Sequence, residues 1–133
     1  MIVQYAAASM VSENKVYAHP ASVDSIPSSA NQEDVVSMGT TAARKAGMIV
    51  QNTLSVLAME LLTACQAIDI RRRLNTHGQG ITPLHEALYQ HVREKVAFFE
   101  IDREIWPDIA EVEKMVRSGE LLEIVKEYMP EFQ

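Results

Sequence analysis

The stretch MIVQNTLSVLAMELLTACQAIDI, residues 48–70, decides the fold of this chain. Many of its apolar side chains recur at three- and four-residue steps, the spacing of one face of an α-helix. Further apolar residues fall on the other faces, and a helix that is apolar around its circumference is normally buried on most sides. We therefore predict one long helix from about Gln32 to Arg73, with residues 35–73 as the core helix.

The chain itself is too short to bury such a helix. A chain of 133 residues covers only roughly two thirds of its surface on folding, so the core helix is expected to pack against helices from elsewhere. Those helices would belong to a missing N-terminal portion of the polypeptide or to other subunits of a homo-oligomer. A membrane is not expected, because polar groups are too costly against lipid and the stretch contains Gln51, Asn52, Glu60, Gln66 and Asp69.

The composition indicates a soluble globular protein. The hydrophobic content is 47%, and there are only five glycines and five prolines, which is unlike a disordered chain. A net charge of −6 and an isoelectric point near 5.2 argue against a nucleic-acid partner, which needs a basic face. The three arginines at 71–73 stand where the long helix ends, so we assign them to compensation of the helix dipole.

The cysteine content and the N-terminus favour a cytoplasmic location. Cys65 is the only cysteine and lies in an apolar run, so we predict a buried thiol rather than a nucleophile, in a reducing compartment. No positively charged start with a small-residue cleavage site is visible, so no signal peptide is predicted.

The remaining segments are helical or irregular by pattern, and no alternation typical of strands is found. We predict a single all-α segment made of the end of a helix, a loop, the core helix, a turn and the C-terminal helices, over residues 1–18, 19–34, 35–73, 74–81 and 82–129. The first helix begins without a capping residue, so we expect the chain to start partway through a longer element. Thr82 as N-cap, Pro83 at the first helical position and Gly119 as C-cap delimit the C-terminal helices.

A polar insert, HPASVDSIPSSANQEDVVSMG at residues 19–39, separates the two apolar parts of the chain. Four polar side chains follow one another near its end, at Asn31, Gln32, Glu33 and Asp34. An amide and carboxylate cluster between buried helices is costly unless it binds something, which predicts a functional site. Capping of the long helix by Asn31 or Asp34 explains part of the cluster equally well, and composition leaves both interpretations open.

The histidines give no clear metal or catalytic pattern. His85 and His91 are six residues apart on one predicted helix and therefore on different faces, without a further ligand beside them. His77 lies in the predicted turn and is expected to be solvated. His19 precedes Pro20 and is expected to anchor the loop.

Two acidic positions remain. Glu60, inside the apolar helix, is expected to be a buried, hydrogen-bonded group or a contact between helices. Glu13, Asn14 and Lys15, at the end of the first helix, either form a solvated cap or pair with the loop, and the sequence does not decide between them.

Four segments resemble the C-terminal part of the histidine ammonia-lyases, which belong to the aromatic amino-acid ammonia-lyases and aminomutases. They are HPASVDSIP at 19–27, SANQEDVVSMG at 29–39, VLAMELLTACQAIDIR at 56–71 and VAFFEIDREIWPDIAEVEKMVRSGEL at 96–121. The resemblance covers essentially the whole chain, most loosely around residues 75–85. It implies the L-aspartase-like helical fold.

The resemblance also implies a function. It implies non-oxidative elimination of ammonia from L-histidine to trans-urocanate, the first step of histidine breakdown, in a homotetramer whose sites combine several subunits. Glu33 matches the carboxylate that faces the substrate imidazole, and Gln32 and Asn31 are assigned to the substrate pocket. The implied electrophile is methylideneimidazolone, formed by cyclisation of an Ala-Ser-Gly triad.

This sequence departs from the family pattern in two respects. It contains no Ala-Ser-Gly, so we expect a C-terminal fragment that is inactive alone. Val35 stands where many histidine-specific members have His, which keeps a tyrosine or phenylalanine ammonia-lyase or aminomutase as an alternative. A non-catalytic helical assembly module is the alternative from a different class.

Overall fold

The computed structural model describes residues 2–23, 25–74 and 80–132. Over these residues the chain is helical and contains no strand, so the predicted all-α class is confirmed. The helices are α1 (Ile2–Tyr17), α2 (Gly39–Arg73), α3 (Pro83–Lys95), α4 (Trp106–Ser118) and α5 (Glu120–Tyr128), with a single 3-10 turn at Ala21–Val23 between α1 and α2. His77 and most of the predicted turn at 74–81 lie outside the described residues.

The start of the long helix differs from the prediction. Helix α2 begins at Gly39, not at about Gln32 or at residue 35, so the predicted N-terminal boundary is wrong. Met38 has a φ of 50°, in the left-handed region, and a right-handed helix cannot continue through that conformation. The Met38 carbonyl instead accepts the hydrogen bond of the first turn from the Ala42 amide at 3.0 Å.

The chain divides into two compact units, Met1–Val56 and Leu57–Gln133. The second unit contains a core built from α2, α3 and α4, with α5 packed on α3 and α4. Its buried side chains are Ala58, Leu62, Cys65, Tyr89, Val92, Val96, Val112 and Met115. The first unit contains no buried residue among those described. The prediction of a single segment stays a prediction.

A polar network joins α2 to α3 inside the second unit. Arg93 donates from Nε to Asp69 Oδ2 at 2.8 Å, and Tyr89 Oη donates to Asp69 Oδ1 at 2.5 Å. Gln66 Nε2 donates to the Phe99 carbonyl at 2.8 Å, and this bond holds the segment that follows α3 against α2. Burial, followed by the hydrogen bond to Asp69, raises the pKa of Tyr89. Each polar group of this network is paired, as a buried site requires.

The predicted helix boundaries after α2 are confirmed at their caps. The Thr82 side chain accepts a hydrogen bond from the His85 amide at 3.3 Å, and Pro83 stands at the first helical position of α3. Gly119 ends α4 with a φ of 83°, a conformation that glycine adopts without steric cost. The same residue is the N-cap of α5, so one glycine lets the chain turn between two helices.

The core helix presents much of its apolar surface to solvent. Cys65 is 2% exposed, as predicted for a buried thiol, and burial raises its pKa. Glu60 is exposed within this chain, so it is not the buried group that was one of the two expectations, and a contact with a further helix stays a prediction. By length and composition alone α2 could cross a membrane, a test that core helices of soluble proteins also pass. The absence of a membrane partner stays a prediction.

Candidate functional site

The four-residue polar cluster lies in the loop between α1 and α2 and does not cap α2. Asp34 precedes the first residue of α2 by five positions, whereas a capping side chain bonds to amides two or three residues ahead. Capping by Asn31 or Asp34 is therefore wrong. The cluster instead forms a turn in which Ser28 and Glu33 pair through their backbones, at 2.8 Å and 3.3 Å.

The turn is closed by three consecutive left-handed residues. Ser29, Ala30 and Asn31 have φ values of 54°, 57° and 65°, and the Gln32 amide donates to the Ser29 carbonyl at 3.2 Å. Residues with a Cβ atom pay roughly 1–2 kcal/mol each for this conformation. The chain accepts that cost immediately before Gln32 and Glu33.

Ser25 joins the two sides of the loop at the open end of this turn. Its hydroxyl accepts a hydrogen bond from the Val36 amide at 2.7 Å and donates to the Asp34 carbonyl at 3.4 Å. The main chain of Glu33 is paired with Ser28, and the residues that follow it are bonded to the Ser25 hydroxyl. The backbone around Glu33 is held from both sides.

The start of the loop is held by α2 and α1. Lys45 Nζ on α2 donates to the main-chain carbonyl of His19, and the predicted anchoring role of the histidine itself stays a prediction. Asn52 of α2 contacts the end of α1. Its Nδ2 donates to Glu13 Oε2 at 2.8 Å and to Asn14 Oδ1 at 2.9 Å. These two residues therefore bind α2 rather than the loop.

A small cavity of about 200 Å³ lies beside the start of the loop. It is lined mainly by apolar groups of α1, the loop and α2, including Pro20, Ala46 and Ile49, with Lys45 at its wall. The predicted site residues are not among its lining.

The side chains of Asn31, Gln32 and Glu33 are all exposed. In the described part of the chain, none of the three makes a side-chain hydrogen bond or ion pair. A carboxylate and two amides are therefore free to accept and donate hydrogen bonds to a ligand. The backbone of this segment is held by hydrogen bonds while the three side chains are exposed, an arrangement that suits a preformed binding surface.

The two described histidines of α3 each lie near a different polar group, although His91 Nε2 has no hydrogen-bond partner among the described residues. His85 Nδ1 lies 2.6 Å from Thr82 Oγ1, and His91 Nε2 lies 3.4 Å from Glu120 Oε2. Across residues 2–23, 25–74 and 80–132, no group of three His, Cys, Asp or Glu side chains has the arrangement of a metal site.

Neither the role of Ser25 nor that of Lys45 is predicted by the sequence. Ser25 is one serine among several in the loop, and nothing in its spacing separates it from its neighbours. Lys45 lies in a helix 26 residues beyond its partner. Only the folded backbone brings either residue to its acceptor or donor.

Comparison with known proteins identifies the family. The profile of the family described as aromatic amino acid lyase matches residues 1–94, which is more than half of the chain. The chain belongs to the aromatic amino acid lyase family. The resemblance found in the sequence is thereby confirmed.

Relatives of this lyase-family chain include histidine ammonia-lyases from Caldanaerobacter subterraneus and Symbiobacterium thermophilum. They are 55% and 54% identical to it over 96% and 95% of its length. The chain spans about a quarter of these curated relatives, 24% of each.

Solved lyase-family structures have the same fold. The histidine ammonia-lyase from Trypanosoma cruzi superposes with a TM-score of 0.86 at 47% identity, over 96% of this chain and 24% of that chain. A tyrosine aminomutase from Streptomyces globisporus gives 0.82 at 37% identity, over 93% and 23%. The predicted L-aspartase-like helical fold is confirmed by these neighbours.

Proposed function

We propose that this chain forms the C-terminal part of a histidine ammonia-lyase, which eliminates ammonia from L-histidine to give trans-urocanate. The observation that carries the proposal is the exposed Glu33 carboxylate, held by backbone pairing with Ser28. The high identity to histidine ammonia-lyases over nearly the whole chain supports the same substrate.

In the proposed function Glu33 binds the substrate imidazole. A carboxylate accepts the N–H of the ring, and its negative charge stabilises positive charge that the ring carries while the β-proton is removed. Gln32 and Asn31, with amide side chains beside it, support the pocket. An amide at position 33 would still accept the hydrogen bond, but it would lack the charge.

The electrophile of the reaction is not supplied by this chain. Methylideneimidazolone activates the substrate in the family that the sequence resembles, and it forms from Ala-Ser-Gly, which is absent from the 133 residues. We propose that an N-terminal portion supplies it, in a cytoplasmic homotetramer, and that the chain alone is inactive.

A tyrosine or phenylalanine substrate is the second candidate. The structural similarity to tyrosine aminomutase and the presence of Val35 beside the site favour it. In that case the enzyme would act on a ring without an N–H at the imidazole position, and the charge of Glu33 would contribute little.

A chimera tests the proposal. The chain replaces the 127 residues that it matches in the Caldanaerobacter relative, and urocanate formation is followed by its absorbance. We expect the chimera to convert histidine, and Glu33→Gln to lower kcat/KM by about 100-fold, as loss of an electrostatic contact in the transition state does.

Glu123→Gln is the matched control, because it makes the same change at an exposed carboxylate on α5. We expect its kcat/KM to equal that of the unmodified chimera. A Glu33→Gln chimera with full activity on histidine contradicts the proposed role, and preference for tyrosine or phenylalanine supports the second candidate. Urocanate formation by the chain alone contradicts its predicted inactivity.

A further inference from the structure

The side chain that would bind the substrate lies on a loop rather than on a helix. A catalytic contact needs its group held within about 0.5 Å of the productive position, and loops have few internal contacts to do this. Glu33 has no side-chain partner in the described chain, so its position depends on the backbone around it.

Besides the Gln32–Ser29 hydrogen bond within the turn, two links hold that backbone. The first is the exchange of hydrogen bonds between Ser28 and Glu33, which depends on the main chain only. The second is the Ser25 hydroxyl, which acts as acceptor for the Val36 amide at 2.7 Å and as donor to the Asp34 carbonyl at 3.4 Å. One side chain therefore fixes the residues on the C-terminal side of Glu33.

The surroundings of Ser25 make this link hard to replace. Both Ser25 and Val36 are half-buried, so the Val36 amide has limited access to water if the hydroxyl is removed. An unpaired, partly buried amide is unfavourable, and the loop can restore its pairing only by moving. Val36 lies three residues beyond Glu33, so such a movement reaches the proposed site.

We propose that Ser25 is a positioning residue for Glu33, a role that rests on the proposed function. It does not touch the substrate. It closes the open end of the loop, so that the strained turn at residues 29–31 and the Ser28 pairing present Glu33 in one orientation.

Activity of the chimera gives the first test. We expect Ser25→Ala to lower kcat/KM for histidine by about 10-fold, because small misplacements of a catalytic group have effects of this order. Ser25→Thr retains the hydroxyl and is expected to restore activity to within about 3-fold, since a retained hydrogen bond of this kind accounts for most of the effect. Ser22→Ala, at an exposed serine of the same loop, is the matched control and should leave kcat/KM unchanged.

A double-mutant cycle separates positioning from a general structural effect. If Ser25 acts through Glu33, then Ser25→Ala should cause no further loss in a Glu33→Gln chimera, because the two residues act as a unit. Equal losses in both backgrounds would show that Ser25 acts independently of Glu33 and would overturn the proposal.

Hydrogen exchange of the chain itself gives a test that does not depend on activity. In Ser25→Ala the Val36 amide loses its partner, and we expect the Glu33 amide, which donates to Ser28, to exchange at least about 5-fold faster as the loop opens locally. Unchanged exchange at Glu33 overturns the positioning role, whatever the activity. Full activity of the Glu33→Gln chimera would instead contradict the proposed function, so the two failures are distinguishable.

Discussion

At the scale of single residues, the backbone beside the candidate site has an unfavourable conformation. Ser29, Ala30 and Asn31 share a left-handed conformation, although only Asn is commonly found there among the three. Strained backbone of this kind persists only where surrounding contacts hold it. Here those contacts are the Ser28–Glu33 pairing and the Gln32–Ser29 hydrogen bond.

Substitution of Ala30 by glycine should therefore not destabilise the chain. Glycine removes a conformational cost of about 1 kcal/mol, which offsets the added backbone entropy of the unfolded state. Ala43→Gly is the control, because Ala43 is exposed within α2, where glycine costs roughly 1 kcal/mol. Thermal unfolding followed by circular dichroism should show a lower Tm for Ala43→Gly only. A lower Tm for Ala30→Gly would contradict the importance of the strain.

At the scale of elements, the contact between α2 and α3 includes a largely buried ion pair between Arg93 and Asp69. Arg93 Nη2 lies 2.6 Å from Asp69 Oδ2, and the two side chains are only 10% and 15% exposed. We expect Asp69→Asn to lower the free energy of unfolding by about 3 kcal/mol, because removing one partner leaves a buried charge uncompensated. The measurement is urea unfolding at a fixed protein concentration.

The pair between Arg73 and Glu100 provides the control for this substitution. It also joins an arginine of α2 to a carboxylate, at 2.6 Å, but its side chains are 53% and 73% exposed. Exposed pairs contribute at most about 1 kcal/mol, so Glu100→Gln should change stability little. Equal effects of the two substitutions would show that burial does not decide the strength of the contact.

The elements also decide what the polar cluster can do. Because α2 begins only at Gly39, the carboxylate of Glu33 is not used by a helix N-terminus and stays available. The sequence could not exclude a cap, because capping depends on where the helix begins, and that boundary is set by the left-handed Met38.

At the scale of the whole molecule, the described chain leaves large apolar side chains exposed on its longest helix. Val50 and Leu57 of α2 are 52% and 44% exposed, and the unit Met1–Val56 has no buried residue among those described. Contiguous exposed apolar surface is typical of interaction sites. The expectation that α2 packs against further helices agrees with this exposure.

We predict that the isolated chain self-associates through this surface. Light scattering at increasing concentration should show a mass above that of a 14.9 kDa monomer, because burial of apolar area drives association. Val50→Glu should weaken the association at least about 10-fold, since a charge is costly in an apolar contact. Thr41→Glu, at an exposed polar position of α2, should have no effect. A monomer at every concentration would contradict this prediction.

The amino-acid sequence by itself determined the helical class, the apolar helix and the family resemblance. These follow from local rules, because helical periodicity, caps at Thr82 and Gly119 and the family motifs are all visible in short windows of sequence. The tertiary structure decided where α2 begins, that Asp69 pairs with Arg93, and that the Ser25 hydroxyl reaches Val36. These depend on backbone conformation and on contacts between residues distant in the chain, which no local pattern specifies.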